Sequence, residues 1–253
     1  MLESFAMTDQ VAVVTGASRG LGRVFCLALA EAGAHVVVTG RDEAAIASVA
    51  AEIESAGGRA SAARVDVTSR ADLVRVRDDT LGALGRVDVL VNNAGIFING
   101  PTLDIRDGDW RRIMETNLDA VWLGCHVFGE QFVAQRSGVI VNVGSMSGMI
   151  VNRPQWQAPY NTAKAAVHHL TRSLAAEWGV FGVRVNALAP GYMRTENSQV
   201  HRPDIQRPWI QDTALKRPGE MAELGPAIVF LASQASSYMT GSVLTIDGGY
   251  TVF

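Results

Sequence analysis

Tyr160 and Lys164 stand four residues apart, with Ser145 upstream of both. In a helix, a Tyr-x-x-x-Lys pair lies on one face. A phenol titrates near pH 10, too high for an acid–base group at neutral pH. An ammonium about 4 Å away, at an effective dielectric of about 20, favours the phenolate by about 4 kcal/mol. That is roughly three pKa units before desolvation and screening reduce it. On this arithmetic Lys164 draws Tyr160 towards the working range of a general acid–base. Ser145 supplies a hydroxyl that can hold a substrate oxygen beside the phenol. The same spacing also arises from a half-buried tyrosine and a surface lysine on any amphipathic helix, so the pair must be weighed with its context.

A second group of residues could hold an anion. The turn Thr15-Gly16-Ala17-Ser18-Arg19-Gly20-Leu21-Gly22 separates an apolar run from a helical pattern. Glycines there let the backbone turn tightly and approach a pyrophosphate, and the following helix offers unpaired N–H groups. The spacing is G-x-x-x-G-x-G rather than G-x-G-x-x-G, and tight packing alone also explains it. NAD enzymes commonly place an acid at the end of the second strand for the ribose hydroxyl. This chain reads Val38-Thr39-Gly40-Arg41 there. Arg41, with Arg19, could pair with a 2′-phosphate, although Asp42 weakens the local field. The expected cofactor is NADP(H) in preference to NAD(H). Asp66 and Val67 follow a third apolar run, and Asp66 either contacts adenine or organises its turn. Asn93, Ala94 and Gly95 follow a fourth, and amides there can satisfy loop backbone groups. Asn117 is an indifferent helix former inside a helical stretch. Pro190-Gly191 follows a sixth run, with Met193 and Thr195 just beyond.

The elements that must position these groups alternate. Strand-like runs at 11–15, 35–39, 60–65, 87–92, 139–143, 183–188 and 243–246 are separated by helical stretches at 21–32, 43–56, 71–84, 110–135, 160–178 and 222–232. Such alternation predicts an α/β fold, a doubly wound parallel sheet with helices on both faces. Ligands of such sheets bind outside the carboxyl ends of the strands, the edge at which Ser145 and the turns named above gather. The chain has 253 residues and shows no linker, repeat or composition break, so a single domain over 1–253 is expected. The proline-rich connection 190–218 interrupts the rhythm and is expected to be a substrate lid. The formal net charge is −3 and the pI about 6.0, which gives no electrostatic case for nucleic acid or membrane surfaces. No apolar run is long enough to span a bilayer. Cys26 and Cys125 lie far apart in apolar segments and read as reduced core residues, not a disulfide or metal site. The first ten residues hold Glu3 and Asp9 and no basic residue, unlike a secretory signal. A cytoplasmic setting and no metal are expected.

In this order, Thr15 to Gly22, Asn92 to Gly95, Asn117, Ser145, Tyr160-x-x-x-Lys164 and Pro190-Gly191 resemble the short-chain dehydrogenase/reductase family, over nearly the whole chain. The resemblance implies a seven-stranded Rossmann sheet and a catalytic tetrad of Asn117, Ser145, Tyr160 and Lys164. It implies Tyr160 as acid–base, Ser145 positioning the reacting oxygen, Lys164 also holding the nicotinamide ribose, and Asn117 helping to hold a water in a proton relay. Asn93 and Thr195 would be cofactor contacts. A homotetramer or dimer is implied, pairing the helices that carry Asn117 and Tyr160. The segment from Ser145 to Gln155 resembles the polyol and sugar dehydrogenases of that family, and so do Tyr192 and the ending from Asp247. The branch member it resembles has an acid where this chain has Gly40, so cofactor preference does not carry over. The expected reaction interconverts a secondary alcohol and a ketone of a polyol or sugar. Ser147, Asn152 and Tyr192 join Ser145 and Tyr160 as substrate contacts. Asn152, Gln155 and Gln157 bring amides that can bind vicinal hydroxyls, though loop capping explains them almost as well. Reduction of 3-oxoacyl or simple ketone substrates is the competing enzymatic reading. A catalytically idle, dinucleotide-sensing scaffold is the non-enzymatic one. His168 and His169 read as packing or interface residues rather than metal ligands, and Trp156 and Trp209 could line the pocket.

Overall fold

Valine and isoleucine runs that are apolar on both faces build strands buried on both sides. The computed structural model describes residues 2–195 and 207–253. Its strands are β1 (Val11–Val14), β2 (His35–Gly40), β3 (Arg59–Arg64), β4 (Val89–Asn92), β5 (Gly138–Val143), β6 (Val183–Pro190), β7 (Met193–Arg194), β8 (Gly219–Glu220) and β9 (Val243–Ile246). Seven form one sheet in the order β3-β2-β1-β4-β5-β6-β9, the doubly wound Rossmann arrangement expected from the sequence. Every ladder in it is parallel. The winding reverses between β1 and β4, which opens a crevice at their carboxyl ends.

The helices are α1 (Gly20–Glu31), α2 (Glu43–Ser55), α3 (Arg70–Leu84), α4 (Asp107–Met114), α5 (Ala120–Gln135), α6 (Ala158–Trp178) and α7 (Gly225–Ala232). Alternate strand residues serve opposite faces. Ala12, Val14, Val36 and Val38 pack with Phe25 and Leu29 of α1, Ile46 and Ile53 of α2, and Ile228 of α7. Val11, Val13, Leu90 and Ile140 pack with Leu73 of α3, Phe128 and Phe132 of α5, and Val167 and Leu174 of α6. Burying each such side chain contributes about 1.5–3 kcal/mol. Asn92 and Asn142 on adjacent strands break the apolar pattern but are paired. Asn92 Nδ2 donates to Asn142 Oδ1 at 2.9 Å, and Asn142 Nδ2 donates to Thr171 Oγ1 of α6 at 3.0 Å. This chain of bonds fastens β4, β5 and α6 beneath the crevice. Cys26 and Cys125 are free and buried, and burial pushes the Cys125 thiol up to about 12. Among the described residues no helix is long and apolar enough to cross a membrane.

Two features differ from the sequence pattern. The helical stretch 110–135 is interrupted by a π turn over Glu115–Asp119, where the Ala120 N–H bonds the Glu115 carbonyl. Apolar periodicity does not register one extra residue in a turn. The second is a two-stranded parallel ladder, β7 with β8, whose strands are too short to carry a period. It joins the two ends of the connection expected to be a lid. Residues 196–206 of that connection lie outside the described residues.

Candidate active site

The first βα turn is shaped by its glycines. Gly16 and Gly20 have φ of +62° and +57°, a region costly for other residues. At Gly22 a Cβ would lie 2.3 Å from the Gly16 carbonyl oxygen. Asn93 holds this loop in place, its Nδ2 donating to the carbonyls of Thr15 at 2.9 Å and Gly16 at 3.0 Å. The Thr15 hydroxyl accepts from the N–H groups of Asn93 and Ala94. At the start of α1 the cap residue, Arg19, makes no side-chain capping bond. The first turn thus has no side-chain cap and opens beside free space, since a Cβ at Gly20 would meet nothing within 4 Å. That cradle, with the helix dipole behind it, fits the pyrophosphate of a dinucleotide. Leu21 continues it into the central cavity.

At the end of β2, Gly40 packs closely, since a Cβ there would lie 2.9 Å from Ile46 Cγ2 and 3.8 Å from Ser18 Cβ. Arg41 beside it is exposed. Asp42 caps α2, accepting from the Ala45 N–H at 3.1 Å. Asp66 accepts from both the N–H and the hydroxyl of Thr68. Those bonds hold its carboxyl below the usual range, with a smaller contribution from Arg41. Its carboxylate thus organises the turn, and Val67 beside it is partly buried.

Helix α6 carries the proton chemistry. Its buried stripe includes Ala163, Val167 and Thr171, and beside them Lys164 and His168. Lys164 Nζ donates to the Val143 carbonyl at 2.7 Å, where β5 ends. The residues that follow the strand are Gly144 and Ser145, and the Ser145 hydroxyl is near enough to Tyr160 to favour its phenolate. Lys164 Nζ lies 5.6 Å from the Tyr160 ring centroid. The expected depression of the Tyr160 pKa is not what this arrangement produces. Burial raises the phenol, offset in part by Ser145, and burial also lowers the Lys164 ammonium to about 8. Desolvation of both groups outweighs their attraction.

Asn117 is fully buried and reaches the same edge from the π turn. Its Oδ1 accepts from the Ile96 N–H at 3.0 Å, and its Nδ2 donates to the carbonyls of Ile96 at 2.9 Å and Ile113 at 3.1 Å. Gly95 is what lets it approach, since a Cβ there would lie 2.6 Å from Asn117 Oδ1. One residue that the sequence reading missed is Phe97. Its ring meets Tyr160 edge to face at 5.4 Å, and an aromatic in a loop gave little signal of that.

These groups line one cavity of about 660 Å³ with Pro190, Gly191, Met193 and Thr195 on its β6 side. Its far wall is a polar network. Tyr192 accepts from Asn152 Nδ2 at 2.9 Å and from Gln155 Nε2 at 3.0 Å. Trp209 stacks on Tyr192 at 4.3 Å and donates to Gln155 Oε1 at 2.7 Å. Gln157 Nε2 lies within bonding distance of Ser147, Asn152 and Asn161. Amides carry two protons and two lone pairs, so the wall keeps capacity to bond a hydroxylated ligand.

The profile of the family described as enoyl-(acyl carrier protein) reductase matches residues 16–251. Galactitol 2-dehydrogenase (L-tagatose-forming) of Cereibacter sphaeroides is 44% identical over 253 residues, covering 98% of each chain. A short-chain type dehydrogenase/reductase from Mycobacterium marinum superposes with a TM-score of 0.95 at 42% identity, over 99% of this chain and 98% of that one. A gluconate 5-dehydrogenase from Burkholderia cenocepacia J2315, solved with NADP and tartrate, superposes with a TM-score of 0.94 at 34% identity, over 100% and 99%.

Proposed function

Because this chain belongs to the short-chain dehydrogenase/reductase family, we propose that it interconverts a secondary alcohol of a polyol or sugar and the corresponding ketose, preferring NADP(H) to NAD(H). The observation that carries the reading is the convergence of Ser145, Tyr160 and Lys164 on one cavity with an amide-lined wall. Similarity to the galactitol enzyme supports the substrate class. The absence of an acid at Gly40 and the exposed guanidinium of Arg41 support a 2′-phosphate, as does similarity to a structure holding NADP.

In this mechanism the α1 N-terminus and the loop from Gly16 to Gly22 would hold the pyrophosphate. Ser18, Arg19 and Arg41 would serve the adenosine phosphate. Asp66, Val67, Asn93, Ala94 and Gly95 would hold the rest of the dinucleotide together with Pro190, Gly191, Met193 and Thr195. When bound, the nicotinamide supplies the two-electron redox partner of the alcohol carbon. Ser145 Oγ and Tyr160 Oη hold the substrate oxygen. In ketone reduction Tyr160 gives that oxygen a proton; in alcohol oxidation the phenolate takes one away. Lys164, anchored on the Val143 carbonyl, would hold the ribose and pass protons along. Asn117 fixes the loop after β4 and the π turn, where a relay water would sit. Asn152, Ser147 and Tyr192 would orient the other hydroxyls, with Trp209 of the 190–218 connection stacked on Tyr192 beside them. The free buried cysteines fit a cytoplasmic enzyme. Exposed Trp110 and Trp122 fit helix pairing in a homotetramer, which light scattering would test.

The test is a panel of polyols, ketoses, simple ketones and acyl thioesters with both dinucleotides. Polyol or ketose turnover with NADP(H) is expected. Tyr160→Phe should lose about 10²–10⁴-fold in turnover while still binding dinucleotide. Near-normal turnover in that variant would sink the catalytic assignment, and absence of any turnover in the parent would favour the scaffold. The acyl reading is favoured by one observation, the family description that matches. Acyl thioesters outperforming every polyol and ketose would establish it.

A further inference from the structure

His168 lies one helical turn beyond Lys164 and is 3% exposed. Its ring fits between two glycines that flank Ser145. A Cβ at Gly144 would lie 2.3 Å from His168 Nε2, and one at Gly148 would lie 2.8 Å from Cε1. Neither glycine has a positive φ, so backbone conformation does not demand glycine at either position; the imidazole does at Gly144, and at Gly148 the ring shares that role with the α6 backbone, Lys164 C at 2.8 Å and Ala165 N at 2.9 Å. The Ser145 N–H points at Nε2 at 3.5 Å, the long limit of a hydrogen bond. Beyond that residue the turn closes on itself, with the Ser147 N–H donating to Ser145 Oγ at 3.1 Å and the Gly148 N–H to the Ser145 carbonyl at 3.0 Å.

We infer that His168 is a positioning residue for Ser145: its neutral ring fills the Gly144–Gly148 socket and accepts the Ser145 N–H at Nε2, which aims the serine hydroxyl at Tyr160. The inference rests on the proposed role of Ser145 at the reacting oxygen. An imidazolium would set a donor against a donor. Burial first, then Lys164 and Arg172 on either side, holds the ring down to about 4, so the acceptor form is the one present. A core histidine that only fills space would not need a bare Nε2.

The first measurement needs no substrate. Nitrogen NMR of protein labelled in its 5 histidines should show His168 with Nδ1 protonated and Nε2 bare, the signal being assigned by its loss in His168→Gln. An Nε2–H tautomer or an imidazolium at neutral pH overturns the inference. The second measurement is kinetic. His168→Leu should lower kcat by ~10–100-fold with dinucleotide Kd unchanged, and His168→Gln, which restores an acceptor, should recover most of the rate. Wild-type kcat in the leucine variant, or equal losses in both, overturns the acceptor role. Gly144→Ala should cost rate in the parent but little more in a His168→Ala background, and additive losses overturn the socket. If the leucine variant does not fold, the tautomer still decides. If the parent turns over no alcohol or ketone, the proposed function fails while the tautomer result stands.

Discussion

Tyr160 must ionise in a place that resists ionisation. Its phenol is held up by burial and only partly relieved by Ser145, so the protonated form dominates at neutral pH. Ketone reduction, which uses the O–H, should therefore be near its plateau at neutral pH, whereas alcohol oxidation should keep climbing into the alkaline range. Profiles of kcat/KM in both directions test this, and an oxidation limb flat from acid to alkali contradicts it. His168 gives a second pH effect with a definite sign. Its folded pKa is lowered to about 4, against about 6.5 in the unfolded chain. Between those values the unfolded state binds more protons, so stability falls as pH drops through the window. His168→Gln should flatten that part of the Tm–pH curve, and unchanged slopes would mean the ring is not buried neutral. Arg41→Ala should weaken NADP(H) binding by about tenfold or more, as expected for a lost charged hydrogen bond, and leave NAD(H) nearly untouched. Titration with both dinucleotides checks it. Replacing Asn152 by Leu should lower kcat/KM for a hydroxylated substrate more than for a plain cyclic ketone, because Tyr192 and Gln157 each lose a partner.

At the scale of elements, the site depends on places where regular structure gives way. The strand ends at Gly144, and the helix before α5 widens at Asn117. The sequence signalled Asn117 by chemistry alone, as an amide in a poor position for a helix. It could not signal the π turn, because a periodicity of 3.6 is read over a window longer than the defect. Gly95 shows how tightly the two pieces fit. Gly95→Ala would place a methyl 2.6 Å from Asn117 Oδ1 and push the amide off Ile96. An overpacking loss of about 1–3 kcal/mol in stability is expected, together with a larger loss of kcat than of dinucleotide affinity. Denaturant titration and steady-state kinetics separate the two. The Asn92–Asn142–Thr171 chain of bonds beneath makes the opposite case. Asn142→Leu leaves Asn92 Nδ2 without that acceptor inside the sheet, and about 1–3 kcal/mol should be lost with the fold otherwise intact.

At the scale of the whole molecule, the sheet was legible because its signal is repeated. Each strand is a valine-rich run, each crossover is a helical pattern, and connectivity follows from handedness. The residues at the carboxyl edge were legible for the same reason, since topology gathers every strand end into one line. What brings Tyr192, Trp209 and Tyr250 together was not legible. Their rings meet at 4.3 Å and 5.1 Å, yet the segments that carry them are distant in sequence and irregular. The short β7–β8 ladder was equally hidden, and it has a further consequence. Met193 pairs with Gly219 and Arg194 with Glu220, and the Arg194 guanidinium holds the Glu220 carboxylate at 2.8 Å. The chain between these strands is thus a closed ring in the polymer sense. Once its ends are pinned, doubling its length costs only about 0.6 kcal/mol of closure entropy. The chain joining β7 to β8 can then change in length at little cost to the seven-stranded sheet, whose ladders do not include it.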